Sequence, residues 1–270
     1  MSVETSRQPS RVGVAIKRIV HPSVLELVAM AMLALAYNVI RAGQGGDVAL
    51  AFVHSDELVA LEGWVFDHVE VPLNSWTMGV PLVAVPACYF YAVMHYVATP
   101  TVLFLSWKVG GWKYRRGYWS LVLASAVALL VYMNYPVAPP RLVPGDGVAD
   151  VMRAFAGYGW WGGAASAPRG IGDATNQYAA LPSLHCGWAL WCALQMWDFK
   201  GRWWRPLAVL YPSAQAFVVI ATGNHYVIDV LLGCGLVLAT HFALDAFGKR
   251  RFGWDSDESP GLLSGHASTR

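Results

Sequence analysis

Six long apolar stretches constrain the fold of this chain more than any other feature of the sequence. Hydrophobic residues make up 56% of the chain and charged residues only 13%, and a membrane-spanning helix needs about 20 mostly apolar residues. This composition excludes a disordered chain, a nucleic-acid-binding protein and an ordinary soluble enzyme. The predicted spans cover residues 23–39, 79–97 with an apolar continuation past Pro100 to Trp107, 117–132, 182–197, 206–222 and 226–247.

The basic residues alternate with these stretches. Most of the 19 Lys and Arg residues lie before the first stretch and after the second, fourth and sixth, around residues 7–18, 108–116, 200–205 and 249–251. Cytoplasmic loops carry such an excess of Lys and Arg. The sequence therefore predicts an all-α integral membrane protein, a bundle of six transmembrane helices with both termini in the cytoplasm. The opposite side keeps Arg41, Arg141, Arg153 and Arg169.

This topology divides the chain into three parts. Residues 1–22 are polar and basic, unlike a cleavable signal peptide, and are predicted to be a cytoplasmic segment. Residues 23–250 form the six-span domain. Residues 251–270, rich in Ser, Gly and Asp, are predicted to be a disordered cytoplasmic tail.

The connection between the first two spans is long and acidic. Leu58, Leu61, Val65 and Val69 recur in it with roughly helical spacing. We expect an interfacial helix at the outer membrane surface, with its apolar face either against lipid or packed on the bundle. The acidic residues of this connection are Asp47, Asp56, Glu57, Glu62, Asp67 and Glu70.

Three polar clusters, at residues 135–141, 176–185 and 222–229, are separated in sequence but fall on the outer side in this topology. In the third cluster, His225 and Asp229 are four residues apart and share a helix face. A carboxylate there would fix the imidazole tautomer and leave the other ring nitrogen free as a nucleophile. The alternative is a pair that only bridges two helices.

The other two clusters supply groups that suit a phosphate. Ser183 is placed to cap a helix whose backbone N–H groups favour an anion, and His185 could then protonate a leaving oxygen. Arg141, after two prolines, suits bidentate phosphate binding, although a lone outer Arg also anchors lipid head groups. His185, His225 and Asp229 could instead ligate a metal ion. Because the set resembles an anion cage, we predict no metal and no cofactor. Ser183 lacks the Gly-x-Ser-x-Gly context of a nucleophile.

These residues resemble the three signature motifs of the type 2 phosphatidic acid phosphatase superfamily. Arg141 matches the first motif, Pro182-Ser183-Leu184-His185 the second, and His225 with Asp229 the third. The sequences at residues 139–141, 180–185 and 222–226 look closest to the branch that includes inositol phosphorylceramide synthase. The resemblance extends over most of the chain and makes residues 23–250 the catalytic domain.

The resemblance implies a metal-independent phosphohistidine mechanism. His225 would attack phosphorus, Asp229 would orient it and His185 would protonate the departing alkoxide, while Arg141, Ser183 and Asn224 would hold the phosphate oxygens. Candidate substrate contacts are Arg169, Asn176, Tyr178 and His95, the last because an intramembrane His is a functional candidate by default.

Two family cations are absent from their expected positions. Asn134 stands where the family has a Lys, and Val219 where it has an Arg. Arg169 and Asn224 are candidate replacements. A phosphodiester carries one negative charge and a phosphomonoester up to two, so fewer cations favour a diester and head-group transfer.

The leading hypothesis is therefore a lipid phosphatase or head-group phosphotransferase in the plasma membrane, with its active site on the extracytoplasmic face. Its partners would be a phospholipid or lipid phosphate substrate and membrane lipids, with no nucleic acid. The alternatives are a non-catalytic lipid-binding or transport protein and, less consistent with six spans, a haloperoxidase. The connection over residues 145–175 lies beside two motifs and is long enough to be functional. The sequence leaves the oligomeric state and the choice between hydrolysis and transfer open.

Overall fold

The computed structural model describes residues 22–43, 48–161 and 177–252. These residues are predominantly helical, and the one β-type pairing among them is an isolated parallel bridge between Val137 and Ala179. The helices are α1 (Pro22–Gly43), α2 (Val48–Phe66), α3 (Glu70–Gly79), α4 (Pro81–Val109), α5 (Gly111–Asn134), α6 (Val151–Ala154), α7 (Leu184–Trp197), α8 (Trp204–Ala221) and α9 (Val227–Phe252), with short 3-10 turns at Pro140–Leu142 and Ala156–Tyr158.

Each of the six apolar stretches contains a helix, but the helices differ in length. Within the described residues, three helical segments are long and apolar enough to cross a membrane: Pro81–Val109, Gly111–Asn134 and Val227–Gly248. Helix α7 has only 14 residues, which corresponds to about 21 Å at 1.5 Å per residue. The structure therefore indicates a membrane protein, and the six-span count stays a prediction. The segment 1–21 and the tail from residue 253 onward lie outside the described residues.

The connection predicted as one interfacial helix forms two helices, α2 and α3, separated by a turn in which Asp67 and His68 have positive φ angles. The buried face of α2 carries Ala51, Ser55, Leu58 and Glu62. Leu61, Val65 and Val69 are exposed, so only Leu58 of the predicted apolar face packs inward. The position of these helices at the interface stays a prediction.

Helix α7 lies at the centre of the bundle, in contact with α4, α5, α8 and α9. Its Trp191 is fully buried and donates a hydrogen bond from its indole N–H to the carbonyl of Gly117, at 2.7 Å. Burial of a large aromatic side chain with its polar atom satisfied is a strong packing anchor. The centre of the bundle is therefore fixed around the helix that follows the second motif.

Glycines bring α7 and α9 into close contact near the N-terminal ends of these helices. Gly233 packs directly on the backbone of Ser183, and Gly187 packs on the carbonyl of Gly233. The Ser183 N–H also donates to the Asp229 carbonyl, at 2.9 Å. Small residues permit such backbone contact, which places the second and third motifs side by side.

The connection after Arg141 is partly ordered by buried contacts. Asn74 of α3 donates to the carbonyls of Ala149 and Ala221 and accepts from the Ala149 N–H, all within 3.0 Å. Trp161 is fully buried and packs with Val151. The first part of the predicted 145–175 connection is thus folded onto the bundle, and its remainder from residue 162 lies outside the described residues.

Candidate active site

His225 lies just before α9 and is held through one ring nitrogen. Its Nδ1 atom is 2.9 Å from the Ala180 carbonyl oxygen and 3.3 Å from Asp229 Oδ2. Both partners are acceptors, so Nδ1 carries the proton and Nε2 keeps its lone pair. Asp229 Oδ2 also accepts from the Tyr226 N–H, at 2.9 Å. This arrangement gives His225 one defined tautomer, in which Nε2 is the nitrogen with a lone pair.

His185 is in the first turn of α7 and faces His225, with 5.7 Å between the ring centroids. Tyr91 of α4 stacks on the His185 ring at 4.6 Å, and His95 of α4 meets the same ring edge-on at 4.5 Å. The structure therefore brings the predicted substrate-contact candidate His95 beside His185, in contact with a predicted catalytic side chain. Tyr91, which stacks on the face of the ring, fixes its plane.

Ser183 is the N-cap of α7, as the sequence indicated. Its hydroxyl oxygen accepts from the Cys186 N–H at 3.4 Å, and the side chain is fully buried. A capped helix N-terminus concentrates positive potential from its unpaired N–H groups. The start of α7 next to His185 is therefore suited to hold an anion.

Arg141 lies in the 3-10 turn after α5 and is locked against the third motif. Its Nη1 atom donates to Asn224 Oδ1 at 2.5 Å, and its backbone N–H donates to the Gly223 carbonyl at 3.0 Å. Its Nε atom is 3.6 Å from Asp150 Oδ2, and the side chain is only 4% exposed. Arg141 and Asn224 thus form one polar unit, and Asp150 offsets part of the Arg141 charge.

Gly223 makes this contact possible. It has a φ angle of +73°, and a Cβ atom there would lie 2.8 Å from a Val148 methyl carbon and 3.0 Å from the Ala149 carbonyl oxygen. Only glycine adopts such a backbone readily. The turn leads directly into Asn224 and His225, so its conformation sets the positions of both side chains.

The remaining predicted site residues fall in different places. Tyr178 packs edge-on against Phe52 of α2, with ring centroids 6.3 Å apart, and its carbonyl accepts from the Val137 N–H. This backbone hydrogen bond joins the segment of the first motif to the segment of the second. Arg169 and Asn176 lie outside the described residues.

The two positions that lack family cations serve structural roles. Asn134 is exposed at the end of α5 and donates from its side chain to the Leu130 carbonyl. Val219 is fully buried, and its carbonyl accepts from the backbone N–H groups of Asn224 and His225. Neither position supplies a charge to the site.

Sequence reasoning missed four contributors to the site. The Ala180 carbonyl is 2.9 Å from His225 Nδ1, and Asp150 pairs with Arg141, but both contacts depend on the tertiary fold. Glu62 and Glu70 accept from the N-terminal N–H groups of α9. The spacing of Ala51, Ser55, Leu58 and Glu62 at steps of four, three and four was a usable signal, because it places Glu62 on the buried face of α2. Within the described ranges, no group of three or more His, Cys, Asp or Glu residues could hold a metal ion.

A family model described as PAP2 superfamily matches residues 56–243, which include all of these motifs. The chain belongs to the PAP2 superfamily. This agrees with the superfamily that the motifs resemble, and PAP2 membership supports a phosphatase-type enzyme acting on lipid phosphates in general. Comparisons with curated proteins and with solved structures find no significant match. The branch within the PAP2 superfamily is therefore a matter for proposal.

Proposed function

We propose that this PAP2 protein is a membrane-integral lipid phosphoesterase that works through a phosphohistidine intermediate on the extracytoplasmic face. The observation that carries the proposal is the arrangement of His225. Its Nδ1 atom faces two acceptors, while the ring of His185 stands 5.7 Å away. A nucleophile, its orienting group and a second imidazole are the components of nucleophilic and general acid catalysis.

In the first step, His225 Nε2 attacks phosphorus and the bond from phosphorus to the leaving oxygen breaks. His185 donates a proton to that oxygen, and Asp229 and the Ala180 carbonyl stabilise the charge that develops on the His225 ring. In the second step, water or an alcohol attacks the phosphohistidine and gives its proton to His185, which regenerates both side chains. Arg141, Asn224 and the N-terminus of α7 hold the phosphate oxygens.

For the substrate, we favour a phosphodiester lipid and transfer of its head group, as in the inositol phosphorylceramide synthase-like branch. Asn134 and Val219 supply no cation, and Asp150 lies 3.6 Å from Arg141 Nε. The positive potential at the site is therefore suited to a single negative charge. A phosphomonoester, with up to two charges, would need further cations.

The proposed orientation uses α1, α4, α5, α7, α8 and α9 as six spans. The basic segments then face the cytoplasm, and the three motifs converge at the outer membrane surface. Helices α2 and α3 would lie along that surface above the site.

The test is turnover by the purified full-length protein in detergent, with mixed lipids that carry monoester and diester phosphates. Phosphorus NMR follows every phosphorus species in EDTA. The His225→Ala variant removes the nucleophile. His241→Ala is the matched control, because this buried His is on α9, which begins just after His225, and lies about 21 Å along that helix at 1.5 Å per residue.

Free phosphate that requires His225 would identify a phosphatase, and a new phospholipid without free phosphate would identify a head-group transferase. Turnover that persists in His225→Ala would exclude the phosphohistidine mechanism. Binding of lipid without turnover would favour the alternative of a lipid-binding or transport protein.

A further inference from the structure

The N-terminus of α9 is capped in an unusual way. Tyr226 at the N-cap has no short side-chain acceptor, although the first N–H groups of a helix need partners. Asp229 Oδ2 accepts from the Tyr226 N–H at 2.9 Å. Glu70 Oε1 accepts from the Val227 N–H at 3.0 Å, and Glu62 Oε1 accepts from the Ile228 N–H at 2.5 Å. Three carboxyl groups, two of them from other helices, therefore hold one helix end.

Glu62 and Glu70 form a carboxyl pair. They are 1% and 3% exposed. Glu62 Oε2 has no hydrogen-bond partner among the described residues. Burial, and then the neighbouring Glu70, raise the pKa of Glu62 from 4.5 to about 8, so Glu62 keeps its proton at neutral pH.

We propose that Glu62 and Glu70 are positioning residues for phosphoryl transfer. The pair fixes the first turn of α9, and that turn holds Asp229 and His225 in register with His185. The inference rests on the proposed function, since it assigns these two carboxyl groups to the same reaction. Helices α2 and α3 thereby become part of the catalytic apparatus.

The geometry connects the pair to the site through very few bonds. Val227 and Ile228 lie between His225 and Asp229 in sequence. Their N–H groups donate hydrogen bonds to Glu70 and Glu62. Loss of the Glu62 or Glu70 carboxyl group leaves one of these N–H groups without its acceptor, in the segment that positions His225. Since a displacement of about 1 Å can lower a rate about 100-fold, small movements of this turn are sufficient to reduce turnover.

The pair also lines a cavity, and the raised pKa of Glu62 predicts that the pair responds to pH. Glu62 and Glu70 lie on the wall of a cavity of about 530 Å³ that opens beside Tyr226. The ionisable groups that face the pair are Asp67 and His68 of the α2–α3 turn, Asp146 of the loop after Arg141, Tyr226, and Asp229 of α9. Loss of the Glu62 proton as pH rises adds a negative charge beside Glu70 and Asp229, at the helix end.

The test compares Glu62→Ala, Glu70→Ala and Glu62→Gln in the full-length protein, with Asp56→Ala as the matched control because Asp56 is an exposed carboxylate on α2. The alanine variants should lower kcat by about tenfold or more at pH 7 with KM nearly unchanged. Glu62→Gln keeps an acceptor for the Ile228 N–H group and carries no charge at any pH. It should retain most of kcat and lose the decline in activity that we expect of the wild type near pH 8.

A second measurement reports the position of the His225 ring independently of turnover. Nitrogen NMR of histidine-labelled protein, with His225 assigned from His225→Ala, should show one Nδ1–H tautomer in the wild type and in Glu62→Gln. Glu62→Ala should show a mixture. The positioning role is overturned if alanine variants that remain folded keep both kcat and the single tautomer, or if Glu62→Gln keeps the alkaline decline.

These arms separate the two claims. Wild-type protein without turnover, or His225→Ala with turnover, refutes the proposed function, and the tautomer measurement still decides whether the pair positions His225.

Discussion

Gly233→Ala should separate the two motifs that carry the histidines. A Cβ atom at residue 233 would lie 2.9 Å from the carbonyl carbon of Ser183, 3.1 Å from its nitrogen and nearer still to its oxygen. Ordinary carbon–carbon contacts are about 3.5–4.0 Å. All three clashing atoms belong to the backbone and cannot rotate away, so α7 and α9 must move apart by about 1 Å.

Two measurable effects follow from that movement. Overpacking of this kind destabilises a protein by about 1–3 kcal/mol. The hydrogen bond from the Ser183 N–H to the Asp229 carbonyl, now 2.9 Å, would lengthen, and His185 would shift relative to His225. A misplacement of about 1 Å can lower a rate about 100-fold, so we expect a loss of that order in kcat.

The assay measures kcat by phosphorus NMR and thermal stability in the same detergent. Gly235→Ala is the matched control, because a Cβ atom two residues further along α9 meets nothing within 4 Å. It should leave kcat unchanged. A Gly233→Ala protein with the wild-type kcat would refute the claim that this helix contact sets the distance between the motifs.

Three further predictions follow from individual contacts. Asp229→Asn should lower kcat, but by less than the loss of about 10⁴-fold seen when a triad carboxylate is replaced. The reason is that the Ala180 carbonyl still holds His225 Nδ1. Steady-state kinetics at pH 7 check this, and an unchanged kcat would contradict it. Gly223→Ala should destabilise the fold by about 1–2 kcal/mol, because residue 223 has a positive φ angle. It should also raise KM, because the added methyl group displaces Arg141. An unaltered KM and melting temperature would count against the role of Gly223 in placing Arg141. Since the pKa of Glu62 is raised from 4.5 to about 8, the folded state binds more protons between these values, and stability should fall as pH rises from about 4.5 to about 8 and then level off. Melting temperatures across this range should decline less in Glu62→Gln, and equal slopes would refute the assignment.

The sequence was most informative where a pattern repeats or a motif is local. Apolar stretches of near-bilayer length predicted the positions of six helices, because a helix satisfies its backbone hydrogen bonds internally wherever water is excluded. The cap at Ser183, and the contact between His225 just before α9 and Asp229 in its first turn, depend only on local geometry. Both could be predicted without knowledge of the fold.

The rest depended on contacts between distant segments. The acidic connection was predicted as one helix with an apolar face, but a turn at Asp67 and His68 divides it. Hydrophobic spacing could not show that α2 would bury a carboxyl group at Glu62, since burial of an acid is favourable only when a partner is present. The partner is the end of α9, more than 160 residues away in sequence.

The charges around the site support one direction for substrate choice. Arg141 is the cation that the described residues place beside Asn224, and Asp150 lies against it. The carboxyl groups of Glu70 and Asp229 accept from N–H groups at the adjacent helix end. A phosphate with two negative charges would enter this field against more repulsion than a diester with one, and each added charge matters more where water is excluded. The carboxyl groups that position the nucleophile therefore also disfavour the monoester, which links the rigidity of the site to the head-group transfer that we propose.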